Sequence, residues 1–223
     1  MTGIRDVKSV IGVDPGGRKL ITWALVNEAG VPVRVRQYQP PPEMGTYALA
    51  IIGHGDVDPD NEPRLYEAMK KATRHEYGII AREIADCADR WNSLIVVDYN
   101  PPFPSGWWSL AEVFQSMAKR DLGQDISDLE DQKRNWARSV YPFLPLPFFI
   151  DDLTMRARLR SLPDPVATGA PYSSLTCGRC RTRDRTVREE AEFWCNRCGY
   201  EADADSNAAH NLGILGWELV AEQ

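Results

Sequence analysis

No run of apolar residues in this 223-residue chain approaches the roughly 20 needed to span a membrane, and its first ten residues, MTGIRDVKSV, carry no apolar signal-peptide core. Positive charge is also in short supply. Lys and Arg number 26 against 32 Asp and Glu, a net charge of −6, which argues against a simple nucleic-acid binder because neutralising phosphates needs cations. Internal repeats and low-complexity segments are absent, which excludes a repeat architecture. The stretch Gly53–Pro63 (GHGDVDPDNEP) alternates Asp56, Asp58 and Asp60 but lacks the glycine and glutamate of a calcium loop at the required places. It reads as a solvated turn, with His54 a loop residue.

What remains is globular composition. Apolar residues make up 43% and charged residues 26%, enough for a core in one domain or in one domain with a small inserted module. Only five cysteines occur, and four of them fall in two Cys-x-x-Cys knuckles, Cys177/Cys180 and Cys195/Cys198. Each knuckle holds two thiolates on one tight turn, so the pair offers four sulfurs for the closed tetrahedral coordination of a structural zinc. Residues 181–194 separate the knuckles, one short of the usual zinc-ribbon spacer of about 15–20 but compatible with a two-stranded ribbon. Two disulfides or four unrelated core cysteines are the alternative; free thiolates for metal suit a reducing compartment. Cys87, the remaining cysteine, falls in an apolar helical stripe and reads as a buried small hydrophobe.

Between the knuckles the chain is locally basic, with Arg179, Arg181, Arg183, Arg185 and Arg188 against Asp184. Alternating arginines on a strand share one face, which could track phosphates. The other reading is a solvated ribbon face balanced by Glu189, Glu190 and Glu192.

Three apolar runs open the chain: Val7–Val13, Lys19–Val26 and the alternating Val31–Tyr38, separated by glycine-containing turns. They predict three antiparallel strands. Pro63 starts a long helix whose apolar stripe is expected to run through Leu65, Met69, Ala72, Ile79, Ile80, Ile84, Cys87 and Trp91. Ser93–Val97 follows as a strand covered on both faces. Residues 99–108 are rich in Pro and aromatics, and Phe103, Trp107 and Trp108 suit either base stacking or burial. Leu110–Leu122, Ile126–Val140, Phe148–Leu162 and Ser206–Val220 are expected helices, the last turning Ala208, Leu212, Leu215 and Leu219 inward.

Three carboxylates fall at the ends of elements. Asp14 ends the first strand, Asp98 ends the strand after the long helix, and Asp205 precedes the last helix. Each alone suits a structural role as turn residue, strand-end cap or helix N-cap. If the first and fourth strands are neighbours, Asp14 and Asp98 lie side by side and the final helix can bring Asp205 over them. Such an oxygen-rich cluster needs cations, and it suits magnesium or manganese. Two such ions can clamp the attacking water and the leaving oxygen of a phosphodiester.

The segments IGVDPG (11–16), IVVD (95–98), SSLTCGRC (173–180), CNRCG (195–199) and DADSNAAHN (203–211) resemble the RuvC-like nuclease half of TnpB proteins and type V CRISPR effectors. The resemblance runs through nearly the whole chain in motif order. It implies an α/β, RNase H-like (RuvC-like) mixed sheet flanked by helices, with a four-cysteine zinc ribbon inserted before the last helix. The expected division is a nuclease core over 1–171, the ribbon over 172–201, and a final helix over 202–223 carrying the third acid. It further implies magnesium- or manganese-dependent DNA cleavage directed by a guide RNA, with Asp14, Asp98 and Asp205 as catalytic metal ligands. Cys177, Cys180, Cys195 and Cys198 would hold zinc. Asn207 would stand in the third motif as a positioning residue toward nucleic acid, joined there by the stripe arginines Arg179, Arg181, Arg183 and Arg185 if that stripe tracks phosphates. A cytoplasmic setting in a prokaryote or phage goes with the family.

Two departures matter. The family's second acid is ordinarily Glu, where this chain has Asp98, one methylene shorter. Its helical wedge and recognition region normally precedes the first motif, and Asp14 stands near the start here. The expectation is therefore an endonuclease, or else a nuclease-weakened binding protein or the subunit of a larger RNA-guided effector completed by a separate wedge chain.

Overall fold

The computed structural model describes residues 7–15, 19–44, 63–99, 146–170, 172–183, 186–189 and 191–222. The expected helices over 110–122 and 126–140, the aromatics Phe103, Trp107 and Trp108, and Arg185 lie outside them.

Strands β1 (Ser9–Pro15), β2 (Ile21–Asn27) and β3 (Pro32–Tyr38) form the predicted antiparallel meander. After helix α1 (Pro63–Trp91), strand β4 (Ser93–Asp98) returns beside β1 and runs parallel to it, Val13 opposite Val97. Helix α2 (Leu146–Leu159) leads to β5 (Val166–Thr168), which pairs parallel with β4. The sheet order β3-β2-β1-β4-β5, antiparallel on one side and parallel on the other, is the RNase H-like arrangement.

Strand period decides what each face carries, because successive side chains point to opposite sides. Ile11, Val13, Trp23, Leu25, Ile95 and Val97 pack with α1 and α2 in the larger core. Their alternates Val10, Ala24, Val26, Leu94 and Val96 face the last helix, α3 (Ala204–Ala221). Central strands buried on both faces read as unbroken apolar runs, as β1 and β4 do.

Helix α3 lies unusually close to the sheet. A methyl at Gly12 would come 2.1 Å from the Ala209 carbonyl oxygen and 2.4 Å from the Gly213 nitrogen. Methyls at Gly213 and Gly216 would meet Val26 at 2.3 Å and Val10 at 2.4 Å. Small residues at 209, 213 and 216, spaced at i, i+4 and i+7, thus give the helix the face it lays on β1, β2 and β4. The inward face expected at Ala208, Leu212, Leu215 and Leu219 is rotated from this one: Leu215 and Leu219 are only half-buried.

In α1 the buried stripe runs through Met69, Thr73, Tyr77, Ile80, Ile84 and Ala88. Ile79 and Trp91, expected on it, are exposed at 42% and 47%. Ile79 is about 100° around the helix from Ile80, so both cannot face the core. Cys87 is buried and free, as anticipated.

The ribbon differs from expectation in two ways. It has three strands rather than two: β6 (Thr186–Glu189), β7 (Glu192–Cys195) and β8 (Glu201–Asp203), in that order. Its first arginines, moreover, are not on a strand. Arg179 and Arg181 belong to the first knuckle turn, so they do not form an alternating stripe on one strand face.

Candidate metal centres and the acidic cluster

The four knuckle sulfurs all lie within 4.8 Å of one another, with Cys177 and Cys198 at 3.6 Å and Cys180 and Cys195 at 3.6 Å. Disulfides need about 2.05 Å, so the paired-disulfide alternative is excluded. A tetrahedral zinc with arms of about 2.3 Å sets its sulfurs roughly 3.8 Å apart, which this cluster fits. The two knuckles repeat one backbone pattern. In each, the first cysteine's N–H donates to a carbonyl five residues on, Cys177 to Thr182 at 2.8 Å and Cys195 to Tyr200 at 2.9 Å. In each, the residue after the second cysteine has positive φ: Gly199 at 67° and Arg181 at 62°. Arginine rarely adopts that conformation, and here it is held by its bond to Asn211 Oδ1 at 2.5 Å and by Glu218 at 3.6 Å. Burial pushes the Cys177 thiol up to about 12, whereas at Cys195 amide donors from Cys198 and Arg197 overcome burial and bring it down to about 7.

The ribbon is strapped to α3 by two asparagines. Asn207 accepts from the Gly178 amide at 3.0 Å and donates to Thr176 O at 2.8 Å, and Asn211 donates to Ser173 O and Thr176 O at 2.7 Å. Asn207 is fully buried, with its side chain bonded to the ribbon backbone. Gly178 rests on the ring of His210, where a methyl would meet Nδ1 at 2.4 Å, and His210 Nε2 bonds the Gly30 carbonyl at 2.8 Å. Gly178, His210 and Asn211 were not singled out from the sequence, although Asn207, His210 and Asn211 are spaced as one side of a helix.

Asp14 and Asp98 end neighbouring strands, and the charges of Asp98 and Asp205 both reach Asp14. Asp14 follows Val13 and Asp98 follows Val97, so these even-numbered positions emerge side by side on the α3 face of β1 and β4. Asp205 is buried in the first turn of α3. It is not the N-cap: Asp203 takes that role, accepting from the Ser206 amide at 3.0 Å and from Gln37 Nε2 at 2.6 Å. Asp203 thereby also ties α3 to the end of β3. The carboxyl of Asp14 is raised well above its usual range, first by burial and then by the charges of Asp205 and Asp98, with Arg188 opposing. Burial raises Asp98 too, partly offset by the Ala170 amide that donates to its Oδ1 at 3.3 Å. Asp14 and Asp98 are half-buried and Asp205 buried, and the charges of the other two oppose ionisation of Asp14; oxygen donors of this kind suit hard divalent cations.

The expected nucleic-acid arginines are dispersed. Arg179 is exposed, Arg181 is tied to α3, and Arg183 stacks on the Tyr172 ring at 4.2 Å. Arg188, on β6, donates to Ser174 Oγ at 2.9 Å, and its charge reaches Asp14.

Residues 165–212 match the family model described as Cas12f1-like, TNB domain. Two solved structures share the fold: a Cas12f1–sgRNA–target DNA complex, at TM-score 0.57 and 14% identity, and a CRISPR-Cas12f ternary complex, at TM-score 0.56 and 14% identity. The match covers 92% of this chain and 49% of the first protein, and 93% and 39% for the second. This chain thus spans half or less of those proteins' length. No curated protein matches its sequence. The chain thus shares the fold of these Cas12f proteins, and its ribbon segment matches the Cas12f1-like TNB domain. Among the described residues, no helix is long and apolar enough to cross a membrane.

Proposed function

We propose that this chain is a metal-dependent endonuclease domain that hydrolyses DNA phosphodiesters at the cluster of Asp14, Asp98 and Asp205. The observation that carries the reading is the convergence of these carboxylates from three separate elements, with burial and mutual repulsion raising Asp14. A site built only for stability would not gather like charges away from water without cations. Asp14, Asp98 and Asp205 would hold two magnesium or manganese ions, which supply a hydroxide nucleophile at neutral pH and stabilise charge on the phosphate. The chain's own residues prepare this site. Asp203 caps α3 and fixes where Asp205 stands, the Ala170 amide orients Asp98, and Arg188 brings positive charge toward an incoming phosphate. The core is read as 1–171 with 202–223 and the ribbon as 172–201, its cysteines holding a structural zinc that keeps the strand bearing Arg188 in register.

Partners under this reading are DNA and either a guide RNA or a separate wedge chain, as the Cas12f complexes contain sgRNA and target DNA. The second reading, a nuclease-weakened binding protein, is favoured by Asp98 itself, whose shorter side chain is also engaged by the Ala170 amide.

The test is cleavage of labelled single-stranded, duplex and branched DNA with magnesium or manganese. Cutting by the wild type that disappears in Asp14→Asn and in Asp205→Asn supports the proposal. Folded, zinc-loaded protein that cuts nothing would refute an autonomous nuclease. A large gain in cutting by Asp98→Glu would favour the weakened-site reading.

A further inference from the structure

Across the sheet from the acids, between β3 and α1, lies a cleft of about 440 Å³. Arg34 and Arg36 project from β3, and Arg82 and Arg90 from α1, with Ile79 and Trp91 among its apolar lining. It belongs to the other face: Arg34 lies over the Trp23 ring at 5.5 Å, and Trp23 packs in the α1 core.

From the charge and shape of this cleft we infer that it is a binding groove for single-stranded nucleic acid. Three observations point there. First, among the described residues four arginines line the cleft against two acids, Glu83 and Asp86, in a chain whose net charge is −6. Second, those two acids are already engaged. Glu83 accepts from Tyr38 and lies 3.6 and 3.8 Å from Arg34 and Arg36, and Asp86 is bound by Arg160 of the segment following α2. Arg82 and Arg90 are exposed and pair with no carboxylate among the described residues, so their guanidinium groups are available to an incoming anion. Third, Trp91 exposes a large aromatic surface at the same cleft, where solvent contact gains the fold nothing.

The geometry suits an extended polynucleotide. Arg34 and Arg36 are about 7 Å apart along their strand, and Arg82 and Arg90 about 12 Å apart along their helix. Planar guanidinium forks bind phosphate oxygens in pairs, and a tryptophan face accepts any base. An acidic peptide would use the arginines but would leave Trp91 without a planar partner. Because the cleft and the acids occupy opposite faces of the sheet, a strand held here is not the segment reacting at Asp14. The groove would anchor a second stretch of the substrate, or a bound RNA.

The experiment measures binding of fluorescein-labelled 20-nucleotide single-stranded DNA and RNA to the zinc-loaded full chain in buffer free of magnesium and manganese. Cleavage cannot occur there, so the outcome is independent of whether the acids cut. Wild type is compared with Arg82→Gln/Arg90→Gln and with Trp91→Ala, all checked for folding by melting. The double variant should lower the slope of log affinity against log salt by about 1.4, the share of two phosphate contacts on a single strand. Trp91→Ala should weaken binding by at least about fivefold, as loss of one stacking platform does. Relative affinities for DNA and RNA identify which polymer the groove prefers. Unchanged affinity and slope in both variants would overturn the inference, as would polyglutamate displacing the oligonucleotide at equal charge concentration.

Discussion

Replacing Asp14 by Asn should make the metal-free protein more stable. The side chain keeps its size and its place on β1 but loses its charge. Strands in a sheet are about 4.8 Å apart, which puts the carboxylates of Asp14 and Asp98 on the order of 6 Å apart. At an effective dielectric of about 20, two charges at that distance repel by roughly 3 kcal/mol. Asp205 adds to this repulsion and Arg188 subtracts from it. A net gain of about 2–3 kcal/mol, in a chain of this size, corresponds to a melting temperature higher by about 5–10 °C.

The pH dependence fixes the sign. Both Asp14 and Asp98 titrate above the ordinary carboxylate range when folded. Their contribution to stability is fully present below the unfolded value and is lost as pH rises through the folded values. The variant's advantage should accordingly vanish in acid and be largest at neutral pH. Manganese should then reverse the order. At about 100 times its dissociation constant, an ion bound only by the folded state adds roughly 2.7 kcal/mol to the wild type, and Asp14→Asn should gain much less. The assay is thermal melting across pH, with the ribbon zinc retained and other divalent cations removed or restored. A variant no more stable than wild type at neutral pH, and a wild type indifferent to manganese, would refute the idea of a repulsive cluster built for cations.

Other substitutions test the supports of the site. Gly12→Ala should cost at least about 3 kcal/mol in urea unfolding, because its methyl meets helix backbone that cannot yield as a side chain can. Asp203→Ala should lose roughly 1 kcal/mol of helix capping, and it should slow cleavage by loosening the turn that carries Asp205. Asn207→Ala leaves the buried Gly178 amide and Thr176 carbonyl without this partner, so it should destabilise the protein by about 1–3 kcal/mol and speed zinc release to a chelator.

Much of this arrangement was legible in the sequence, and the parts that were not share a cause. Asp14 and Asp98 could be found because each terminates an apolar run whose period fixes which face the next side chain takes. The knuckles could be found because their ligand spacing is local. The approach of α3 could not. Gly12, Gly213 and Gly216 carry no side chain to reveal what they touch, and their meaning appears only when the helix rests on the strand. The cap was ambiguous because Asp203 and Asp205 flank a single alanine, and only the backbone distinguishes the residue that bonds the Ser206 amide from the one left facing the cluster. The arginine alternation suggested a strand, but the metal knuckle imposed a turn on its first half. In α1 the apolar residues are more numerous than one stripe can hold. The surplus, Ile79 and Trp91, lines the cleft on the outer face.

The central claim is that Asp14, Asp98 and Asp205 form one divalent-metal centre acting on a phosphodiester. Anomalous diffraction from crystals grown with manganese and a short single-stranded DNA tests it most directly. The account predicts two manganese peaks among these three carboxylates, about 3.5–4 Å apart, with a DNA phosphate oxygen bridging them. An ordered DNA strand with no manganese at the cluster, or manganese bound only elsewhere on the chain, would contradict it.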